Sequence, residues 1–244
     1  MKGAPQLSGN QGKGRFRADR YRSHVALWVQ QAGQALKPDR KVTEAFLRGL
    51  DSEAQQFSFR TFSDTAYTQW AGSAPLERAI QGSLDDCWQE LMWLNRSGAA
   101  VTVTINQTNG QGRAAKDIVR VRALFLDDDG MSDERTFTLT PHLRVITSAG
   151  HNHYYWRVTG IEPAQFPSLQ RRLAQCYGGD SRVFALNQTM QLPGFWRRKQ
   201  MTKPRLPSLV INDPGAPYQV SQLQQLLGID YSADVADALN PTAV

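Results

Sequence analysis

The chain has 244 residues, of which 41% are hydrophobic, 9% aromatic and 20% charged, enough for one large domain and too few for several. This composition excludes a wholly disordered or collagen-like chain, and its two cysteines, Cys87 and Cys176, exclude a disulfide scaffold or a four-thiolate zinc site. The formal charge of +6 invites a nucleic-acid partner, but residues 1–22 hold Lys2, Lys13, Arg15, Arg17, Arg20 and Arg22 against Asp19 alone, so nearly all of it lies in one short segment.

No run approaches the ~18–20 consecutive apolar residues of a membrane span, and the polar, basic start is no signal peptide. A soluble cytoplasmic protein with reduced thiols and no membrane partner is therefore expected. Residues 1–22 combine glycines and basic residues with almost nothing apolar, and read as a flexible arm that is either solubilising or DNA-contacting. Val25, Leu27, Trp28 and Val29 form a short apolar patch, and Val42, Ala45, Phe46 and Leu50 recur at helical spacing. Phe57, Phe59 and Thr61 alternate with polar neighbours as in a half-buried strand. Leu76, Ile80, Leu84, Trp88, Leu91 and Leu94 then predict one amphipathic helix, capped by Gly98.

Beyond Gly98 the period becomes two. Val101, Val103 and Ile105 predict a strand, Asn109-Gly110 a turn, and Val119, Val121, Ala123 and Phe125 a second strand ending in three aspartates. Leu143–Ile146 and Tyr154–Val158 read as a strand pair joined by the tight Ser148-Ala149-Gly150 turn. Phe166, Leu169, Leu173 and Cys176 predict a helix, with Pro163 near its start and Gly178-Gly179 after it. A loop-rich region from Asp180 to Pro217 precedes a short helix at Ser221–Leu227. The order argues for a mixed α+β domain on an antiparallel or mixed sheet.

Three clusters can carry chemistry. In Leu124-Phe125-Leu126-Asp127-Asp128-Asp129-Gly130, strand geometry places Asp127 and Asp129 on one face and Asp128 on the other. Two carboxylates so placed can hold a hard cation such as magnesium or manganese, although Asp-Gly also marks an ordinary solvated turn. His151 and His153 share a strand face and could meet a metal or a phosphate, or simply pack. Asp180 follows two glycines, and Leu192-Pro193-Gly194-Phe195 leads into Trp196, Arg197, Arg198 and Lys199, then Lys203 and Arg205. Basic residues beside aromatic ones suit a phosphate- or single-strand-binding surface, the bland alternative being a solvated basic loop.

The order of these clusters resembles the RepB-type primase domain of the archaeo-eukaryotic primase superfamily, from about Phe57 to Lys199. Val119–Asp127 resembles the family's first-motif strand, Thr147–Trp156 its second motif with His153 at the histidine position, and Asp180 its third-motif carboxylate. Thr104–Gly110 resembles the hairpin before the first motif. The sequence departs from the family at Ala185, Gln188 and Gln191, where an aspartate and then arginines are usual.

This resemblance implies an α+β primase catalytic core, a distorted RRM-like antiparallel or mixed sheet flanked by helices. The expected division is an arm at 1–22, a catalytic domain at 23–220 (an N-terminal α/β portion 23–118 and an RRM-like portion 119–220), and a short helix and tail at 221–244. It implies that Asp127, Asp129 and Asp180 hold two Mg2+ or Mn2+ ions. His153, Ser148, Arg197 and Lys199 would contact an NTP or dNTP, and Arg120, Arg122, Trp196 and Arg198 a single-stranded DNA template. The activity implied is primer synthesis or extension in plasmid or mobile-element replication, with a separately encoded helicase as partner. Two other readings stay open: a non-catalytic single-stranded-DNA-binding module, motivated by Gln188 and Gln191, and a nicking initiator or relaxase using His151-Asn152-His153 with Tyr177 as nucleophile.

Overall fold

In the computed structural model of the protein, residues 36–64, 76–130, 135–180, 182–199, 203–212 and 214–228 are described. The basic arm and the apolar patch at Val25–Val29 lie outside them. The first described helix, α1 (Arg40–Leu50), starts where Asp39 accepts a hydrogen bond from the Val42 amide at 3.2 Å. Its Thr43, Phe46, Leu47 and Leu50 are buried, as their spacing predicts.

Strand β1 (Phe57–Ser63) pairs antiparallel with β2 (Arg78–Gly82) on one side and β3 (Ala99–Thr104) on the other. Helix α2 (Leu84–Ser97) connects β2 to β3, with Ser83 as its N-cap and Gly98, at φ 114°, as its left-handed C-cap. The single helix expected from Leu76 onward is thus a strand followed by a helix. A spacing of four is even, so it satisfies strand period as well as helical period. Ile80 stands opposite Phe59 in the sheet, and the cap at Ser83 starts the helix only there.

A short hairpin of β4 (Gln107–Thr108) and β5 (Ile118–Arg120) follows, turning at Asn109-Gly110, where Gly110 has φ 78°. The one strand expected over 119–125 is broken after Arg120. The Arg122 amide donates to the buried Asn106 Oδ1 at 3.0 Å, and pairing resumes in another sheet with β6 (Ala123–Asp129).

That second sheet has the order β10 (Ser208–Ile211), β7 (Leu143–Ser148), β8 (His151–Thr159), with β6 on the other edge of β8. These pairs are antiparallel, and β11 (Tyr218–Gln219) runs parallel to the end of β8. The β7–β8 turn falls where expected, with Gly150 at φ 73°. Helix α3 (Phe166–Tyr177) packs on β6 and ends at Gly178 in the left-handed region. The chain then returns to the first sheet, where β9 (Thr189–Gln191) pairs with β3. The expected portion 119–220 therefore contributes a strand to the sheet of the other portion. Helix α4 (Val220–Leu227) also belongs to the main body, since Leu223 and Leu227 are buried in its core and the Leu227 carbonyl accepts from Arg172 Nε at 2.7 Å.

One hydrophobic core joins both sheets. Phe46 of α1 meets Tyr155 of β8 edge-on at 5.2 Å, and Trp88 of α2 meets Phe195 at 5.3 Å. Each such buried ring contributes ~1.5–3 kcal/mol by burial alone. The ends of α1 fix its direction across the second sheet. Its N-cap amide at Asp39 donates to the Gly194 carbonyl at 2.7 Å, while a Cβ on Gly49 would stand 2.7 Å from Leu143 Cδ2, at the start of β7. Helix α1 thus covers the Phe125–Tyr155 part of one sheet face. Further along the same strands, the side chains of Asp127 and His153 keep 24% and 12% exposure.

Candidate active site

The β6–β8 register sets Asp127 opposite His153 and Asp129 opposite His151, all on the face that α1 partly covers. His153 Nε2 lies 3.4 Å from Asp127 Oδ1, and its Nδ1 lies 3.4 Å from the Tyr155 hydroxyl. Burial, with Asp127 adding to it, pushes the Tyr155 phenol well above its ordinary range. The phenol therefore keeps its proton; in the tautomer that turns an Nε2–H to the Asp127 carboxylate, Nδ1 accepts from that phenol. The side chain of Asp129 lies outside the described ones.

Asp180 is tied to the edge of β6 by backbone pairing. Among the described residues, the outer edge of β6 has no strand beside it; its polar groups are met by side chain and loop instead. The Phe125 amide donates to Gln170 Oε1 at 3.1 Å, and Gln170 Nε2 donates to the carbonyls of Phe125 and, at 3.2 Å, Val183. Two residues further along, the Asp180 amide donates to the Asp127 carbonyl at 3.0 Å. The chain comes this close because residue 179 is glycine: a Cβ there would stand 2.2 Å from Leu126 Cδ1. The backbones of two aspartates far apart in sequence are thus joined through one hydrogen bond.

Arg182 embraces the Asp180 carboxylate, its backbone amide at 2.9 Å, Nε at 3.0 and 3.2 Å, and Nη2 at 2.9 Å. These bonds hold the Asp180 carboxyl below its ordinary range, so it stays ionised where a free aspartate begins to protonate. A cation taking Asp180 must compete with this exposed pair, worth at most about 1 kcal/mol, or about fivefold in a binding constant. Arg182→Ala is therefore expected to tighten Mn2+ binding two- to fivefold in a direct titration followed by electron paramagnetic resonance; weaker binding would contradict this competition.

Among the described residues, no three His, Cys, Asp or Glu side chains gather into a group able to hold a metal ion. The chemistry of these donors nevertheless fits a hard cation better than a soft one, because Asp127 and Asp180 offer carboxylate oxygens that keep 24% and 17% exposure.

The other expected residues divide. Asp128 points away, fully buried, with Arg135 Nη2 at 3.2 Å from its Oδ1. Ser148 closes the β7–β8 turn opposite His151. Arg122, expected against DNA, is buried instead. Its Nε donates to Asp51 Oδ2 at 2.7 Å, and its guanidinium lies 4.7 Å from the centre of the Phe57 ring. Arg120 is about half exposed, and bonds Asp51 and, at 2.7 Å, Gln107.

In the basic run, Trp196 is held by Asn95 and donates its indole N–H to the Lys37 carbonyl at 2.9 Å. Arg197 donates to Gln191 Oε1 at 2.9 Å and places its Nε 3.1 Å from Asp64 Oδ1, so one of the residues departing from the family anchors the run. Lys199 is exposed. Arg198 is buried, its Nε, Nη1 and Nη2 all lacking an acceptor among the described residues, and burial lowers its pKa from the ordinary guanidinium value. The ring of Tyr177 stacks on Trp156 and meets Phe137, on the sheet face opposite His151 and His153. A nucleophile is therefore not presented to the histidines by that residue.

Gln170, Arg135, Asp64 and Asp51 were not singled out from the sequence. Gln170 alone carried a readable signal, a polar residue between Phe166, Leu169 and Leu173 on the apolar face of a helix.

Residues 95–210 match the family described as the RepB DNA-primase N-terminal domain. Among solved structures, the AEP domain of the cyanophage S-2L primase-polymerase is similar, with a TM-score of 0.61 and 18% identity over 79% of this chain and 100% of that one. Primase RepB′ gives a TM-score of 0.56 at 16% identity, covering 82% of this chain and 65% of that chain. Its catalytic domain in complex with initiator DNA gives 0.52 at 17% identity, covering 84% and 100%. At these identities the likeness is one of fold. No curated protein sequence matches the chain. Residues 95–210, which include Asp127, His153 and Asp180, thus resemble the RepB DNA-primase N-terminal domain, and the fold is one shared with primase catalytic domains.

Proposed function

We propose that the protein is a DNA primase or primase-polymerase that makes or extends strands on a single-stranded DNA template. The observation that carries this reading is the bond from the Asp180 amide to the Asp127 carbonyl, which ties the loop of a distant aspartate to the edge of the strand whose Asp127 faces His153. The RepB-type family match and the likeness to a catalytic domain solved with initiator DNA support the same reading.

In this reading Asp127 and Asp180, with Asp129 at the same strand end, hold Mg2+ or Mn2+. When bound, the divalent ions supply Lewis acidity that makes a 3′-hydroxyl a better nucleophile and offsets triphosphate charge. The protein's own residues orient the reactants. His153, its Nδ1 occupied by Tyr155, offers an Nε2–H donor to a nucleotide phosphate, and Ser148 stands at the adjoining turn. Arg197 and Lys199 supply positive charge for the triphosphate. Arg198, whose three side-chain nitrogens are buried without a partner among the described residues, is a candidate for a phosphate of the nucleotide or template, as Trp196 and Arg120 are for the template. Arg122 serves as scaffold, since removing it would leave the buried Asp51 with only the half-exposed Arg120. Template sequence is read by base pairing. A role in plasmid or mobile-element replication beside a separate helicase accords with the family.

Purified protein supplied with single-stranded DNA, Mn2+ or Mg2+ and labelled nucleotides is expected to yield template-complementary strands. DNA binding with no labelled product would select the non-catalytic module instead. A covalent tyrosine–DNA adduct would select the nicking enzyme.

A further inference from the structure

The middle aspartate of the triple run has no place in the chemistry above, yet it is among the most deeply buried polar groups near the site. Its side chain is fully buried, its Oδ1 is 3.2 Å from Arg135 Nη2, and its Oδ2 has no partner among the described residues. A buried carboxylate needs a counter-charge, and Arg135 is the cation that meets it. The same guanidinium turns its Nη1 to the Tyr177 carbonyl, the last residue of α3. A cation at that position is also favoured by the unpaired carbonyls of a helix C-terminus. Three residues beyond Tyr177 comes Asp180, whose amide bonds to Asp127.

We infer that Asp128 and Arg135 form a brace behind the sheet that positions Asp180 beside Asp127, making both of them positioning residues for the carboxylate centre. The brace closes a ring. It runs from β6 through Asp128 and Arg135 to the end of α3, then through Gly178 and Gly179 to Asp180 and back to β6. The ring leaves no slack at Gly179, where even a methyl group would collide with Leu126. Gln170 clamps the neighbouring stretch of the same edge, so Asp180 is held between two fixed points. Asp128 thereby acts on the site from the face opposite the metal side, which explains a third acid in a motif whose ligands alternate. The purpose assigned to the brace rests on the metal-dependent reading above, whereas the positioning itself does not.

The test uses the full chain in metal-free and Mn2+-loaded forms. Hydrogen exchange at the Gly179 and Asp180 amides is measured without metal, and Mn2+ affinity is measured by electron paramagnetic resonance. Asp128→Asn, nearly isosteric, is expected to speed exchange at Asp180 about tenfold and to weaken Mn2+ binding about tenfold, the scale typical of outer partners of metal ligands. Arg135→Ala alone leaves a buried charge unpaired and lowers the melting temperature. In Asp128→Asn/Arg135→Ala that charge is gone, so the melting temperature recovers, while exchange and Mn2+ affinity stay as impaired as in Asp128→Asn. This split separates positioning from bulk stability. Wild-type exchange at Asp180 in the double variant would overturn the brace. Faster exchange with unchanged Mn2+ affinity would overturn its service to the site. Should the wild-type protein make no strand, the primase reading falls, and exchange at Asp180 still decides the brace.

Discussion

Asp127→Ala is expected to reduce template-directed synthesis by about a thousandfold while leaving the fold intact. A divalent ion contributes several kcal/mol to transition-state stabilisation, and each 1.36 kcal/mol is a factor of ten in rate. Asp127 meets both His153, at 3.4 Å, and the Asp180 loop, at 3.0 Å through its carbonyl. The carbonyl survives the substitution, so Asp180 stays in place and only the carboxylate is lost. Because that side chain is part-exposed, the melting temperature should move little, as for most surface substitutions of about 0.5 kcal/mol or less. Nucleotide incorporation measured alongside a thermal melt checks both halves. Substantial residual synthesis in a folded variant would remove Asp127 from the centre.

Gly194→Ala is expected to give the largest loss of stability. Gly194 has φ 89°, and a Cβ there would stand 2.3 Å from both the Asp39 carbonyl oxygen and Thr43 Oγ1. The first of these is backbone at the α1 N-cap and cannot rotate away. Left-handed backbone in a non-glycine residue costs ~1–2 kcal/mol, and forced overpacking adds ~1–3 kcal/mol. About 3 kcal/mol is a large part of an ordinary domain's stability and corresponds to a fall of roughly 6–12 °C in melting temperature for a chain of this size. Calorimetry checks it. An unchanged melting temperature would mean that the Leu-Pro-Gly-Phe loop does not dock on α1 as described. The glycine's role is therefore architectural: it lets the loop that leads into Arg197 and Lys199 lie against the helix that bounds the site face.

Strand alternation was enough to separate Asp128 from Asp127, because neighbouring side chains on a strand take opposite faces whatever the surroundings. It also placed His153 correctly on a strand, and Gly178 after a helix. Local period could not tell helix from strand at Leu76 and Ile80, where both periods agree. It could not place Arg122 either. A basic residue on an alternating strand looks solvent-facing until Asp51, from a distant helix end, is found against it. The partners of Asp128 and Asp180 were illegible for the same reason. Arg135, Gln170 and Gly179 act across contacts between elements that sequence separation conceals, and only their folded positions show which edge of β6 they fill.

A crystal of the wild-type protein soaked in manganese, with the ion located by its anomalous scattering, tests the centre most directly. The expected result is an ion with an oxygen of Asp127 and an oxygen of Asp180 both at coordination distance, close to the ~2.1 Å typical of small hard divalent cations. Manganese bound without Asp127, or with Asp127 while Asp180 remains tied to Arg182, would contradict a shared carboxylate centre.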